Sequence, residues 1–208
     1  GYKYLGQAYE GMQDIPNAFF SYNVAYRRDS LDAQTVARIA NIFNNNRQFT
    51  DAIDVTECYR LSDTTSVDVN RQNAKAYCML KDYKKAIERY ESLKRMGDRS
   101  FLTFYYLGIS YYGDNWFYGS YDNLKEAYAK NSTDINVLYY YAKSCSRTSW
   151  KKEGVEFMEK AVEIATPGDS ILERLYKGLA ECYGYAGESY KKIEVMNRLY
   201  KLNKDYKL

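Results

Sequence analysis

Small side chains return along this chain at a fixed interval: Gly6, Ala40, Ala74, Gly108 and Ala142 stand 34 residues apart. An aromatic ring follows three residues after four of them (Tyr9, Phe43, Tyr77, Tyr111), and Cys145 follows the fifth. A second small site keeps step at Ala18, Ala52, Ala86, Ser120 and Gly154. Apolar positions between these marks fall at helical spacing; in the third unit Ala74, Tyr77, Ala86, Ile87, Tyr90 and Leu93 form one apolar face. The pattern predicts two helices per interval and a stack of like units in place of one globular core. Small residues let helix axes approach, and rings one turn away fill the space between neighbouring hairpins.

The breaks in the pattern divide the chain. Gly97-Asp98, Ser132-Thr133-Asp134 and Thr166-Pro167-Gly168-Asp169 interrupt the helical spacing, and Ser30, Thr64, Asp98 and Ser132 are expected to cap the helices that follow. Six units result, with approximate bounds 1–32, 33–66, 67–100, 101–134, 135–168 and 169–208, read together as a single domain. Gly1 falls at about the third position of a unit, so the chain is expected to be a piece of a longer protein. Any signal or anchor would lie outside it, and the compartment, cytoplasmic or periplasmic, stays open.

Tyr4-Leu5-Gly6-x-x-Tyr9, followed by Ala18, Tyr22 and Ala25, resembles the tetratricopeptide repeat. Tyr106-Leu107-Gly108-x-x-Tyr111 repeats the first half of that motif, and Tyr83-x2-Ala86-x3-Tyr90 the second. The register holds through Thr166 and slips by about four residues after Pro167-Gly168, so that Leu179-Ala180-x-x-Tyr183 starts the sixth unit late. Asn73 stands where the family has Leu, Thr56 replaces the aromatic of the second helix, and the usual Pro between repeats is absent from most junctions. The resemblance implies an all-α, right-handed α-solenoid of about six helix-turn-helix repeats. It also implies a non-catalytic scaffold that binds a peptide or protein segment in a concave groove lined by the first helix of each repeat.

Taking residues one turn apart on that face gives a groove inventory. Its leading candidates are Asn41, Asn44, Arg71, Lys75, Tyr105, Ile109, Tyr112, Tyr139 and Lys143. The asparagines suit a ligand's backbone, Arg71 and Lys75 a carboxylate, and the tyrosines flat amphipathic contact. Lys3-x3-Gln7, Asn41 and Arg71-x3-Lys75 are similar in type to the family's carboxylate clamp. The later members sit about three positions away from its places, where Arg38, Asp68 and Gln72 stand instead. Tyrosine is abundant, 25 of 208 residues, and Tyr105-Tyr106, Tyr111-Tyr112 and Tyr139-Tyr140-Tyr141 cannot all point inward, because adjacent helical residues face about 100° apart. Trp116 and Tyr118 flank Phe117 in the turn of the fourth unit. Phe117 matches Phe49 and Tyr83 in position and is expected to be structural, while Trp116 and Tyr118 are extra rings, expected to pack on their own hairpin.

Composition narrows the remaining classes. The chain has no histidine, which removes the usual general base and most nucleophile pairs and catalytic zinc sites, and it has no glycine-rich phosphate loop; no enzymatic activity and no cofactor are expected. Four isolated cysteines argue for buried thiols over disulfide or zinc frameworks. A net charge of +3, with both signs interleaved, gives no nucleic-acid stripe, and no apolar run is long enough to insert in a membrane. The partner is therefore expected to be a protein or peptide. The alternatives are a carbohydrate stacked on tyrosine, or assembly through self-association, including a homodimer through exposed solenoid ends around Leu5, Tyr9 and Tyr22.

Overall fold

The structure, a computed structural model, describes residues 1–166 and 170–202. Among these residues there are twelve helices and no strand. They are α1 (Tyr2–Gly11), α2 (Ile15–Arg28), α3 (Ala33–Asn45), α4 (Phe49–Arg60), α5 (Val67–Met79), α6 (Tyr83–Arg95), α7 (Phe101–Gly113), α8 (Phe117–Lys130), α9 (Ile135–Ser146), α10 (Lys151–Ile164), α11 (Leu172–Ala186) and α12 (Ser189–Leu202). The contacts group the hairpins three and three, in compact units 1–99 and 100–208. In the first unit α1 pairs with α2, α3 with α4 and α5 with α6, and each hairpin stacks its second helix on the first helix of the next. The second unit repeats the scheme with α7/α8, α9/α10 and α11/α12, and its first helices α7, α9 and α11 adjoin in sequence.

The small sites are where helices touch. A Cβ on Gly6 would stand 2.6 Å from the Tyr22 ring, and one on Gly108 2.5 Å from Leu124 Cγ, so neither position has room for a side chain. Ala40, Ala74 and Ala142 are fully buried, as are Ala18, Ala52 and Ala86 on the facing helices. The two small sites of the fifth hairpin meet directly, since a Cβ on Gly154 would approach the carbonyl oxygen of Ala142 to 2.8 Å.

The turns repeat as faithfully as the core. Gln13, Arg47, Lys81 and Asn115 each take a left-handed conformation, φ 61–64°, one residue before the N-cap of the following helix. Asp14 and Asp82 cap at that position by accepting a backbone N–H, whereas Trp116 and Trp150, both tryptophans of the chain, occupy it without a side-chain cap. The first helices are capped two residues later than the sequence suggested. Asp32, Ser66, Ser100 and Asp134 accept from the N–H three residues on, not Ser30, Thr64, Asp98 and Ser132. Each of these stands directly before its helix, the one place from which its oxygen reaches the open amides of the first turn. Asp98 instead accepts from Arg71 Nη2 at 2.9 Å.

The two consensus departures, Asn73 and Thr56, lie together in the first unit, both fully buried. Around them Glu57 Oε1 accepts from Asn73 Nδ2 (3.0 Å), Tyr77 Oη (3.1 Å) and Arg89 Nη2 (3.1 Å), and Arg60 Nε lies 3.5 Å from Glu57 Oε2. Pro167, Gly168 and Asp169, where the register break was placed, lie outside the described residues. Among the described residues no helix is long and apolar enough to cross a membrane, and no three His, Cys, Asp or Glu side chains gather as a metal site.

Candidate functional site

In the first unit the groove candidates are largely committed to neighbouring residues of the same unit. Asn41 is half-buried in a shallow polar cleft of about 280 Å³ with Gln34, Arg38, Asp68 and Gln72. Asn44 is buried instead of facing the cleft. Its Nδ2 donates to the main-chain oxygen (3.0 Å) and Oε1 (3.1 Å) of Gln72, and its own side-chain oxygen is buried without a hydrogen-bond partner among the described residues. Arg71 holds Asp98 through Nε (3.3 Å) and Nη2 (2.9 Å), with Nη1 on Asp68 (3.0 Å). Its guanidinium is already neutralised. Lys75 donates to Asn45 Oδ1 at 3.3 Å, and burial pulls its ammonium below the usual lysine range.

The second unit brings its candidates into one surface. Tyr105, Ile109 and Tyr112 lie half-buried along α7, and Tyr139 and Lys143 one turn apart on α9. Tyr105 stacks on Phe101 (centroids 5.7 Å apart, 6° between planes) and meets Tyr106 edge-on at 5.1 Å. Burial first, then the neighbouring phenols of Tyr140 and Tyr106, push its hydroxyl above the usual tyrosine range. Tyr140 bridges Tyr112 (5.9 Å) and Tyr139 (5.2 Å). Burial also raises Tyr112, with Lys143 opposing.

Cations and rings alternate across this surface. The Arg174 guanidinium lies 4.7 Å from the Tyr139 centroid, and Lys143 Nζ stands between Tyr139 (5.6 Å) and Tyr112 (5.7 Å). Tyr112 meets Phe117 edge-on at 5.5 Å, and Arg147 lies 4.3 Å from Phe117 and 5.5 Å from Tyr185. Burial works against the Lys143 charge, but its 2.8 Å pair with Glu181 outweighs this and holds the ammonium above the usual range. Arg174 is fixed from one side by a 2.6 Å bond from Nη2 to Asn136 Oδ1. Neither Arg147 nor Arg174 has a carboxylate within ion-pair distance among the described residues, and both are exposed. These two arginines, with Phe117 and Tyr185, are residues that the spacing argument did not include.

Trp116 and Tyr118 are 55% and 52% exposed; Trp116 packs on its own hairpin as expected and Tyr118 does not. Trp116 rests on Tyr111 (4.6 Å) and against Gly119, while Tyr118 reaches forward to Trp150 of the next hairpin (5.8 Å).

The repeated hairpins define a helical-repeat protein. No family model matches the sequence, and no curated protein matches it; the likeness is one of structure. The chain is similar to YrrB, described as "a TPR protein with an unusual peptide-binding site", with a TM-score of 0.74 at 16% identity over 89% of this chain and 93% of that one. It is similar also to MamA from Desulfovibrio magneticus RS-1 (TM-score 0.71, 15% identity, 86% and 98% covered). A tetratricopeptide repeat protein from Parabacteroides merdae matches with a TM-score of 0.71 at 15% identity over 96% of this chain and 78% of that one. The fold of this chain is that of the tetratricopeptide-repeat proteins.

Proposed function

We propose that this chain is a non-catalytic protein-interaction scaffold that binds a peptide or protein segment on the first-helix face of its second unit. One observation carries the reading: Tyr112, Tyr139 and Tyr140 form a continuous half-buried surface whose rings are already held by one another and by Lys143, with Tyr105 on the same helix face as Tyr112 and stacked on Phe101. Rings fixed before binding lose little entropy when a partner arrives, and tyrosine offers both an apolar face and a hydroxyl. The equivalent face of the first unit has its strongest cation, Arg71, tied to Asp68 and Asp98, and supports the reading less. The unusual peptide-binding site of YrrB belongs to that protein and lends the proposal precedent of fold only.

The test is selection of a displayed library of random peptides on the whole chain, followed by titration of the enriched peptides. Affinity is expected to fall roughly tenfold or more in Tyr112→Ala/Tyr139→Ala, since buried aromatic anchors carry most of an interface's energy. Thermal unfolding of that variant and of Tyr112→Phe separates loss of the surface from loss of fold. Enriched peptides that bind the folded double variant unchanged would place the site elsewhere, and an empty selection would remove the reading.

A further inference from the structure

The tyrosine surface carries an excess of positive charge. Four cations and two carboxylates belong to it: Lys143 is paired with Glu181 at 2.8 Å and Lys177 with Glu173 at 2.6 Å. Asp134, at the start of α9, is committed to capping, its Oδ1 accepting from Asn136 N at 2.8 Å and Val137 N at 3.0 Å. Arg147 and Arg174 remain without a neutralising partner among the described residues. Both are held by aromatic rings, Arg147 by Phe117 and Tyr185, Arg174 by Tyr139. A guanidinium beside a ring keeps its cation–π attraction and its remaining N–H donors while losing little further freedom on meeting an anion.

We infer that the partner of this surface is an acidic protein segment, whose Asp or Glu carboxylates are taken by Arg147 and Arg174 while its apolar side chains lie on Tyr105, Tyr112 and Tyr139. The inference rests on the reading of this face as a peptide site and adds the partner's chemistry. Charge complementarity selects the occupant. The surface offers two unpaired, pre-positioned forks of the shape that carboxylates accept, with an apolar floor between them. A nucleic acid is the poorer fit, because its phosphates recur at every nucleotide and must pass Glu173 and Glu181, whereas a peptide can set neutral residues opposite them. Lys143 and Glu181 sit within the run and set its selectivity: a ligand carboxylate that reaches Lys143 must compete with Glu181.

The experiment compares two synthetic peptides on the whole chain, one alternating Glu and Asp with Leu and Phe, the other with Gln and Asn at every acidic place. The acidic peptide is expected to bind at least about tenfold tighter at low salt, and the difference to shrink as ionic strength rises. In Arg147→Gln/Arg174→Gln the difference should vanish while the neutral peptide keeps its affinity. Arg147→Lys, which keeps charge without the planar fork, should fall between. Equal binding of the two peptides, or a preference that survives in the double variant, overturns the inference. So does displacement of the acidic peptide by a lower concentration of a single-stranded RNA oligonucleotide. If the neutral peptide binds and is lost in Tyr112→Ala/Tyr139→Ala, the peptide face stands and only its acidic preference fails. Binding of neither peptide, together with an empty library selection, removes the face itself.

Discussion

Asn73 Nδ2 donates to Thr56 Oγ1 at 2.9 Å, so the two strongest departures of this chain from the repeat consensus answer each other across α4 and α5. Thr56 passes the bond on to the carbonyl of Ala52 at 2.6 Å, and Asn73 Oδ1 accepts from Arg89 Nε at 3.1 Å. Removing either residue leaves its neighbours one hydrogen bond short: Asn73 Nδ2 loses one of its two acceptors without Thr56, and Arg89 Nε loses its acceptor without Asn73. Replacing both by apolar residues should therefore be milder than the two single changes summed. Asn73→Leu and Thr56→Val are each expected to cost about 1–3 kcal/mol, with a coupling in the double variant of about 0.5–3 kcal/mol. Denaturant unfolding of the four proteins measures it, and strictly additive losses would show that the contact is incidental.

The same network should make the first unit sensitive to acid. Burial pushes the Glu57 carboxyl up, but bonds from Asn73, Arg89 and Tyr77 outweigh it and hold it below its ordinary 4.5. A carboxylate depressed in the folded state stabilises the fold above its unfolded pKa and loses that contribution as pH falls through its folded value. Asp32 and Asp63 are also depressed and act in the same window. Glu57→Gln should thus lower stability near neutrality and reduce, without abolishing, the slope of stability against pH below about 4.5. An unchanged slope in the Gln variant, followed by thermal unfolding across that range, would leave Asp32 and Asp63 as the whole cause.

Four helix starts give a positional test. At each, the chain offers two acceptors two residues apart: Ser30 or Asp32, Thr64 or Ser66, Asp98 or Ser100, Ser132 or Asp134. The structure uses the second of each pair. Asp134→Ala should cost about 1 kcal/mol, and Ser132→Ala close to nothing. Equal effects in paired melts would mean that the cap alternates between them.

How far the chain could be read follows from these particulars. The fold was legible because Gly6, Ala40, Ala74, Gly108 and Ala142 sit at helix contacts where added volume is excluded, and such a constraint leaves a periodic mark. The caps were misplaced because an acceptor type recurs twice at each junction, and only geometry separates them. On the first-helix face, Tyr105, Tyr112, Tyr139 and Lys143 were found by stepping along one side of a helix. Seven residues on from Ala37, Arg71 and Tyr139, however, the position is buried and the eighth is open: Asn44 against Asn45, Cys78 against Met79, Ser146 against Arg147. Arg147 was missed for that reason, one residue past Ser146. Arg174 was missed because α11 starts late against the period, which moves its outward positions out of step.

Two glycines of similar appearance should respond with opposite signs. A Cβ on Gly154 would meet Ser146 Oγ at 2.4 Å and the Ala142 carbonyl oxygen at 2.8 Å; the first could rotate away, but the second is backbone and cannot. Gly154→Ala should cost about 1–3 kcal/mol by overpacking. Gly11, at the end of α1, has nothing within 4 Å of its added carbon, and Gly11→Ala should be neutral or stabilise by up to about 1 kcal/mol. Chemical denaturation of both reads the contrast, and a stabilising Gly154→Ala would mean that α9 and α10 separate more easily than their packing implies.

Gly178 links packing to the proposed surface. Its missing side chain leaves the space in which the Tyr139 ring sits: an added Cβ would lie 2.9 Å from Tyr139 Cε2 and 2.8 Å from Met158 Cε. Both atoms are the ends of side chains that can swing aside, so Gly178→Ala should fold with a modest loss of stability, about 1–3 kcal/mol. Tyr139 should nevertheless move, and with it the ring that holds Arg174 and one wall around Lys143. Binding should therefore fall more than stability does, and a peptide that depends on Arg174 should lose more than one that depends on Tyr105 alone. The comparison is peptide affinity against melting temperature for Gly178→Ala beside Gly154→Ala, which perturbs the same unit between α9 and α10. If the two variants lose affinity in proportion to stability, the seat of Tyr139 has no special part in recognition; a disproportionate loss at Gly178 ties the position of that ring to the ligand.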